Sequence, residues 1–219
     1  MADLALAVCG RDRLYKHIQA LNLLGISRPS VMEYLNKDMV HQTHQHIWQL
    51  KVQKPVIALS KLDRLEVDLI DMSEWAGSNN SRRYVVSIID CFSKYAWLLP
   101  ITQKKTEKVL EVLGPFLKEH TPKVLQSDNG GEFTNAQMKE LLDDLRIKHI
   151  TSLPYKPSSN GQVERFNRTI KGMIMQYMAA SNSCRYLDVL PKIVENYNNT
   201  YHTTIKSTPA AVWAGDHIG

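Results

Sequence analysis

Three acidic residues of this chain stand where acids are costly. Asp68 lies inside the apolar run Leu65-Glu66-Val67-Asp68-Leu69. Asp128 closes Val124-Leu125-Gln126-Ser127, just ahead of Asn129-Gly130-Gly131. Glu164 follows 153–161 (LPYKPSSNG), whose prolines, serines and glycine exclude regular structure. A charge inside or at the end of an apolar strand costs free energy unless it is paired or holds a metal. Strand ends and loop-to-helix junctions are also where α/β folds keep their chemistry. Hard carboxylate oxygens suit Mg2+ or Mn2+. Two such ions about 3.5–4 Å apart can activate an attacking oxygen and stabilise the leaving oxygen at phosphorus. Without metal, three clustered carboxylates would repel one another.

The surroundings of Glu164 carry a second signal. Residues 162–178 read as a helix with Phe166, Ile170, Met173 and Tyr177 on one side. Glu164, Arg168 and Lys171, at i, i+4 and i+7, fall roughly opposite, so an acid faces outward with two cations beside it. Glu164 and Arg168 would equally make an ordinary helix ion pair, and both readings stay open. Residues 150–185 hold five basic groups and one acid, Glu164, within a chain of 219 residues and net charge +5. That balance invites a polyanion without establishing one.

Elements must position these groups. Residues 1–50 read as a helical N-terminal extension: Leu14, Ile18, Leu21 and Leu24 at helical spacing, Gly25 as a stop, then a Ser30/Glu33 capping box opening a helix toward Trp48. Residues 51–61 read as a connector. Strand signals follow at 65–69, 83–92 and 94–101, with a turn at 77–81. A helix at 106–120, a strand at 123–127, a helix at 135–145, a strand at 147–152, and helices at 162–178 and 186–199 complete the order βββαβαβαα, a mixed α/β layer fold. The composition is 43% apolar and 22% charged, enough for a packed core. The three cysteines are far apart with no CxxC, so neither a zinc knuckle nor a redox pair is available. His41, His44 and His46 therefore read as a polar helix face. No stretch approaches the roughly 18 apolar residues of a membrane span, so no membrane partner is expected.

The motifs together resemble one family. Asp128 and Glu164 have 35 residues between them and Asp68 lies upstream, a spacing similar to the D,D(35)E triad of retroviral and retrotransposon integrases. Ser127-Asp128-Asn129-Gly130-Gly131-Glu132-Phe133 resembles that family's DNGxEF run. Gly161-Gln162-Val163-Glu164-Arg165-Phe166-Asn167-Arg168 resembles its helix start, and Asp90-Cys91-Phe92-Ser93-Lys94-Tyr95-Ala96 its strand pair. Tyr197-Asn198-Asn199-Thr200-Tyr201-His202, then Thr208-Pro209, looks like the ending found in Gypsy-type elements and related transposons.

The resemblance implies an RNase H-like fold, a five-stranded mixed sheet flanked by helices, over a catalytic core at 55–216. It implies DNA integration: metal-dependent polynucleotidyl transfer in which water attacks near the element's 3′ end and the freed hydroxyl attacks target DNA. Asp68, Asp128 and Glu164 would be catalytic and hold Mg2+ or Mn2+, two ions in all. Tyr155 and Gln162 would approach DNA from the active-site loop, with Arg168 and Lys171 meeting the element's terminal DNA. A homodimer or higher homo-oligomer acting on DNA in the nucleus follows from the same resemblance. Asp71 is a conceivable alternative to Asp68, but strand alternation turns the two to opposite faces. Asp90 reads as a hydrogen-bonding strand-end residue, and His202, four residues after Asn198, as structural. The family's paired-cysteine zinc module has no counterpart, so a domesticated or truncated nucleic-acid-binding protein without full catalysis is the alternative. A nuclease on the same fold is a third reading, disfavoured by the runs around Asp128 and Glu164.

Overall fold

The computed structural model describes residues 11–21, 25–37, 58–151 and 160–215. The chain divides into two units, Met1–Val52 and Gln53–Gly219. In the first, helices α1 (Arg11–Ala20) and α2 (Arg28–Lys37) are described, and the Arg28 guanidinium sits 5.2 Å from the Tyr15 ring centre. Gly25 takes φ +89°, a stop in the left-handed region. The capping residue differs from expectation. Helix α2 starts at Arg28, so Ser30 is already inside it, and the Ser30 N–H donates to Ser27 Oγ at 3.3 Å. The continuation toward Trp48 lies outside the described residues, as do His41, His44 and His46.

The second unit holds a five-stranded sheet in the order β3-β2-β1-β4-β5. Its strands are β1 (Arg64–Asp71), β2 (Tyr84–Asp90), β3 (Ala96–Ile101), β4 (Val124–Ser127) and β5 (Lys148–Thr151). The first three form an antiparallel meander, and β1–β4 and β4–β5 are parallel, so the sheet is mixed. The parallel pairs require crossovers, which α3 (Thr106–Glu119) and α4 (Ala136–Asp144) supply. Beyond the sheet come α5 (Gly161–Ser181), α6 (Leu190–Asn199) and α7 (Pro209–Ala214).

Alternation along β1 and β2 feeds two cores. Leu65, Val67, Val86 and Ile88 bury against Leu113 and Phe116 of α3 and Met138 and Leu142 of α4. Ile70, Val85 and Ile89 bury on the other face against Phe166, Ile170 and Ile174 of α5 and Ile193 of α6. Each face of the sheet is covered, as expected where parallel strands occur. Asp90 is fully buried, its Oδ1 accepting the Leu62 N–H at 2.9 Å and its Oδ2 the Ser93 N–H at 2.7 Å. It closes the end of β2, as read from sequence.

Three expectations need adjusting. The last long helix starts at Leu190, not Tyr186; Tyr186 and Leu187 instead give their N–H groups to Asn79 Oδ1. Helix α6 stops at Asn199, so His202 does not share a helix with Asn198. It forms an isolated bridge with Ser207, and its Nδ1 accepts the Thr204 N–H. Thr208 and Pro209 open the unforeseen α7, the Thr208 hydroxyl accepting the Ala211 N–H at 3.2 Å.

Candidate active site

Strand β1 turns Glu66, Asp68 and Ile70 toward α5. Asp68 is half-buried; its Oδ1 accepts the Leu69 N–H at 2.8 Å and its Oδ2 accepts Asn167 Nδ2 at 2.9 Å. Burial, the largest cause, pushes its carboxyl up to about 6. The Leu69 N–H opposes that rise, the charges of Asp128 and Glu164 add to it, and Lys104 pulls back. Asp71 is exposed at the strand end, and its carboxylate turns back onto the Ser73 N–H at 2.9 Å.

Asp128 arrives from the neighbouring parallel strand. The β1–β4 ladder pairs Glu66 with Gln126; two residues further along come Asp68, still within β1, and Asp128, one residue past the end of β4. The run after it is a chain of local reasons. Asp128 Oδ1 accepts the Gly130 N–H at 3.0 Å. The Gly130 carbonyl accepts the Phe133 N–H at 2.9 Å, and the buried Phe133 ring plugs the turn into the core. Glu132 folds back beneath the turn, so a Cβ on Gly130 would lie 2.6 Å from Glu132 Oε1. That oxygen meets Lys104 Nζ at 3.1 Å. Glu132 holds the Lys104 ammonium strongly protonated, and Asp128 and Asp68 add to that.

Glu164 comes from the first turn of α5. The buried stripe of that helix is Val163, Phe166, Ile170, Ile174 and Met178. Met173 is half-buried and Tyr177 exposed, against expectation. Residues 173, 174, 177 and 178 are all apolar, so periodicity alone could not choose between neighbouring stripes. Glu164, Arg168 and Lys171 are exposed, as the helical arithmetic requires. Among the described residues no ion pair within 4.0 Å joins Glu164 to Arg168. Gln162 is half-buried, and its side-chain oxygen accepts a hydrogen bond from Lys94 Nζ. Tyr155 lies outside the described residues.

Several residues around the site lie outside the candidates that the sequence singles out. Glu66 is fully buried; its Oε2 accepts the N–H groups of Gln162 (3.1 Å) and Val163 (2.9 Å). Burial pushes its carboxyl up, and those two N–H groups oppose the rise. Its position two residues before Asp68 was the available signal, because i and i+2 share a strand face. Asn167 lies three residues after Glu164, a helical neighbour on the sheet side.

Thus Asp128 and Glu164, from two other segments, both act electrostatically on Asp68, with Lys104 as an opposing cation. Among the described residues no group of three or more His, Cys, Asp or Glu side chains is gathered closely enough to hold a metal ion. The donor set still suits a hard cation: all three are carboxylates, and all three retain unused lone pairs. Glu164 is exposed in the first turn of α5.

A model of the family described as integrase core domain matches residues 61–157. An uncharacterized transposon-derived protein of Caenorhabditis elegans is 34% identical over 66% of the chain and 51% of its own length. The Pro-Pol polyprotein of simian foamy virus type 3 is 30% identical over 60% of the chain and 11% of its own length. The chain thus spans about half of one such relative and a small part of the other. The cryo-EM structure of a simian T-cell lymphotropic virus intasome, in complex with the PP2A regulatory subunit B56 gamma, superposes with a TM-score of 0.70. It does so at 16% identity, covering 98% of this chain and 74% of that one. The five-stranded mixed sheet with flanking helices is the RNase H-like fold of integrase catalytic cores.

Proposed function

We propose that the chain, whose residues 61–157 match the integrase core domain model, is a DNA-integrating enzyme core, a polynucleotidyl transferase that also nicks DNA. The observation that carries this reading is the placement of Asp68 on β1, Asp128 just past the end of β4 and Glu164 in the first turn of α5, with the charges of Asp128 and Glu164 both reaching Asp68. Asp68, Asp128 and Glu164 would hold Mg2+ or Mn2+, in a pair of ions. Such ions, when bound, make an attacking hydroxyl or water a better nucleophile and stabilise the leaving oxygen.

The chain's own residues do the rest. Asn167 and the Leu69 N–H orient the Asp68 carboxylate. The Gly130 N–H orients that of Asp128. Arg168 and Lys171, exposed along the face that bears Glu164, hold backbone phosphates. Gln162 and Tyr155 approach the DNA beside them. Lys104 moderates the anionic field of the site. In the biological setting this predicts a homo-oligomer acting in the nucleus, since two DNA ends need two sites.

The test uses purified protein, labelled oligonucleotides and Mn2+, scoring nicking, strand transfer and disintegration. Activity in the wild type and loss of about 10²-fold or more in Asp128→Asn is the expected outcome. Unchanged activity in that variant would sink the metal assignment. A second reading is a transposon-derived remnant that binds DNA without cutting it, favoured by the absence of a closed ligand cluster among the described residues. Salt-sensitive DNA binding with no nicking under any metal would select it.

A further inference from the structure

Strand β1 presents two carboxylates to α5, at i and i+2, and the proposed chemistry uses only Asp68. Glu66 is fully buried; among the described residues no cation hydrogen-bonds to it, and Lys94 acts on it through its charge alone. A buried carboxylate needs its lone pairs filled. The donors here are the Gln162 and Val163 N–H groups, at 3.1 and 2.9 Å, and the Cys91 thiol at 3.6 Å.

Those two N–H groups are not arbitrary. They belong to the second and third residues of α5, among the first-turn donors that a helix cannot satisfy internally. A side chain at the N-cap normally accepts from them. Asn160 occupies the N-cap and makes no such bond; its Oδ1 accepts Gln126 Nε2 at 3.0 Å instead. The cap of α5 is therefore supplied from another element, the strand that carries Asp68. Capping the helix and docking it on the sheet are one set of bonds. Val163 immediately precedes Glu164. A second rung, Asn167 to Asp68, lies one turn further along at 2.9 Å.

We propose that Glu66 is a positioning residue. By capping α5 from β1, it fixes where Glu164 stands relative to Asp68, and so sets the affinity of the carboxylate site for divalent metal. This rests on the reading of Asp68, Asp128 and Glu164 as a metal site. The side chain must reach from the strand to the helix axis and accept two N–H groups there. Gln keeps both features. Asp withdraws the acceptor by one methylene, and Ala removes it.

The experiment compares Glu66→Gln, Glu66→Asp and Glu66→Ala with the wild type in two measurements that need no turnover. Amide hydrogen exchange at Gln162 and Val163 reads the cap. Thermal stabilisation against Mn2+ concentration, fitted to its logarithmic rise above the dissociation constant, reads the half-saturating concentration of the site. Glu66→Gln should keep slow exchange at both amides and bind Mn2+ much as the wild type does. Glu66→Asp and Glu66→Ala should speed exchange there and raise the half-saturating Mn2+ concentration by about 10- to 100-fold. Leu113→Ala, which weakens the opposite core away from the Asp128 turn, should lower stability and leave Mn2+ half-saturation unmoved. Should Glu66→Ala not fold, Glu66→Asp carries the comparison. The proposal is overturned if the wild type binds Mn2+ and Glu66→Asp or Glu66→Ala binds it equally well. It is also overturned if exchange at Gln162 and Val163 does not respond. A wild type that binds no Mn2+ is a different result: it removes the metal reading itself, and with it the consequence assigned to Glu66.

Discussion

Three acids on adjacent strands differ in how their oxygens are used. Asp90 takes the Leu62 and Ser93 N–H groups and the Ser93 hydroxyl, and Glu66 takes two N–H groups and a thiol. Each is consumed by structure. Asp68 takes one donor on each oxygen and stays half-buried, facing the charges of Asp128 and Glu164. A carboxylate has about four acceptor positions, so Asp68 keeps room for a further partner. Keeping that charge is costly to the metal-free fold, because burial and like charges both disfavour it. Asp68→Asn should therefore raise the melting temperature of the metal-free protein, by about 2–4 °C for each kcal/mol of relieved repulsion. The same variant should lose any stabilisation by Mn2+. A melting temperature that falls in Asp68→Asn would mean the carboxylate is a structural hydrogen-bond acceptor like Asp90. Sequence singled out Asp68, Asp128 and Glu164 as candidates because each stands in a run of distinctive neighbours. Glu66 was not legible: an acid in an apolar strand looks the same whether it binds an ion or caps a helix in another layer.

At the scale of elements, the bonds that fix the helices come from side chains far away in sequence. Asn198 of α6 clasps β3, its Nδ2 donating to the Ala96 carbonyl and its Oδ1 accepting the Ala96 N–H, both at 2.9 Å. Asn198→Ala would strand both buried backbone groups, at a cost of about 2–4 kcal/mol, read as a lower urea midpoint. Motif reading placed Asn198 in a family ending, but nothing local says which strand it meets. The same limit explains the late start of α6: Asn79, more than a hundred residues away, captures the Tyr186 and Leu187 N–H groups that a helix would have used. Elements defined by their own periodicity, β1 to β3 and α3, were legible to within a residue or two. A second clasp depends on pH. Asp63 accepts the Leu59 and Ser60 N–H groups and an ion pair from Lys123, tying the entry of β1 to the entry of β4. Lys123 first, then the Leu59 N–H, hold its carboxyl well below the usual carboxylate range. A carboxyl lower in the folded than in the unfolded state stabilises above its unfolded value, near about 4, and that contribution is lost as pH falls. Urea midpoints taken from neutral to acid pH should drop less steeply in Asp63→Asn than in the wild type. Parallel curves would show that the clasp does not matter to folding.

At the scale of the whole molecule, the charge is organised rather than merely positive. The net +5 is modest, but 150–185 carries five basic groups against Glu164 alone. In the structure Arg165, Arg168 and Lys171 are exposed on α5, the helix that also delivers Glu164. One carboxylate that would hold metal and the cations that would hold phosphate thus share one helix, and its register against β1 sets both. Binding through that helix has a defined salt signature. Each phosphate neutralised releases counterions, so the logarithm of the binding constant falls linearly with the logarithm of salt concentration, by about 0.9 per contact on duplex DNA. Fluorescence anisotropy of duplex DNA from low to moderate salt should give a line for the wild type. Arg168→Ala with Lys171→Ala should flatten its slope by about 2, weakening different sequences alike. The cations of 1–61, where eight basic groups face four acids, offer the competing source of affinity. Were DNA held mainly by them, the double variant would bind along the wild-type line. The phosphates would then lie away from Glu164, and the assignment of Arg168 and Lys171 to the DNA would fall while the carboxylate site stood.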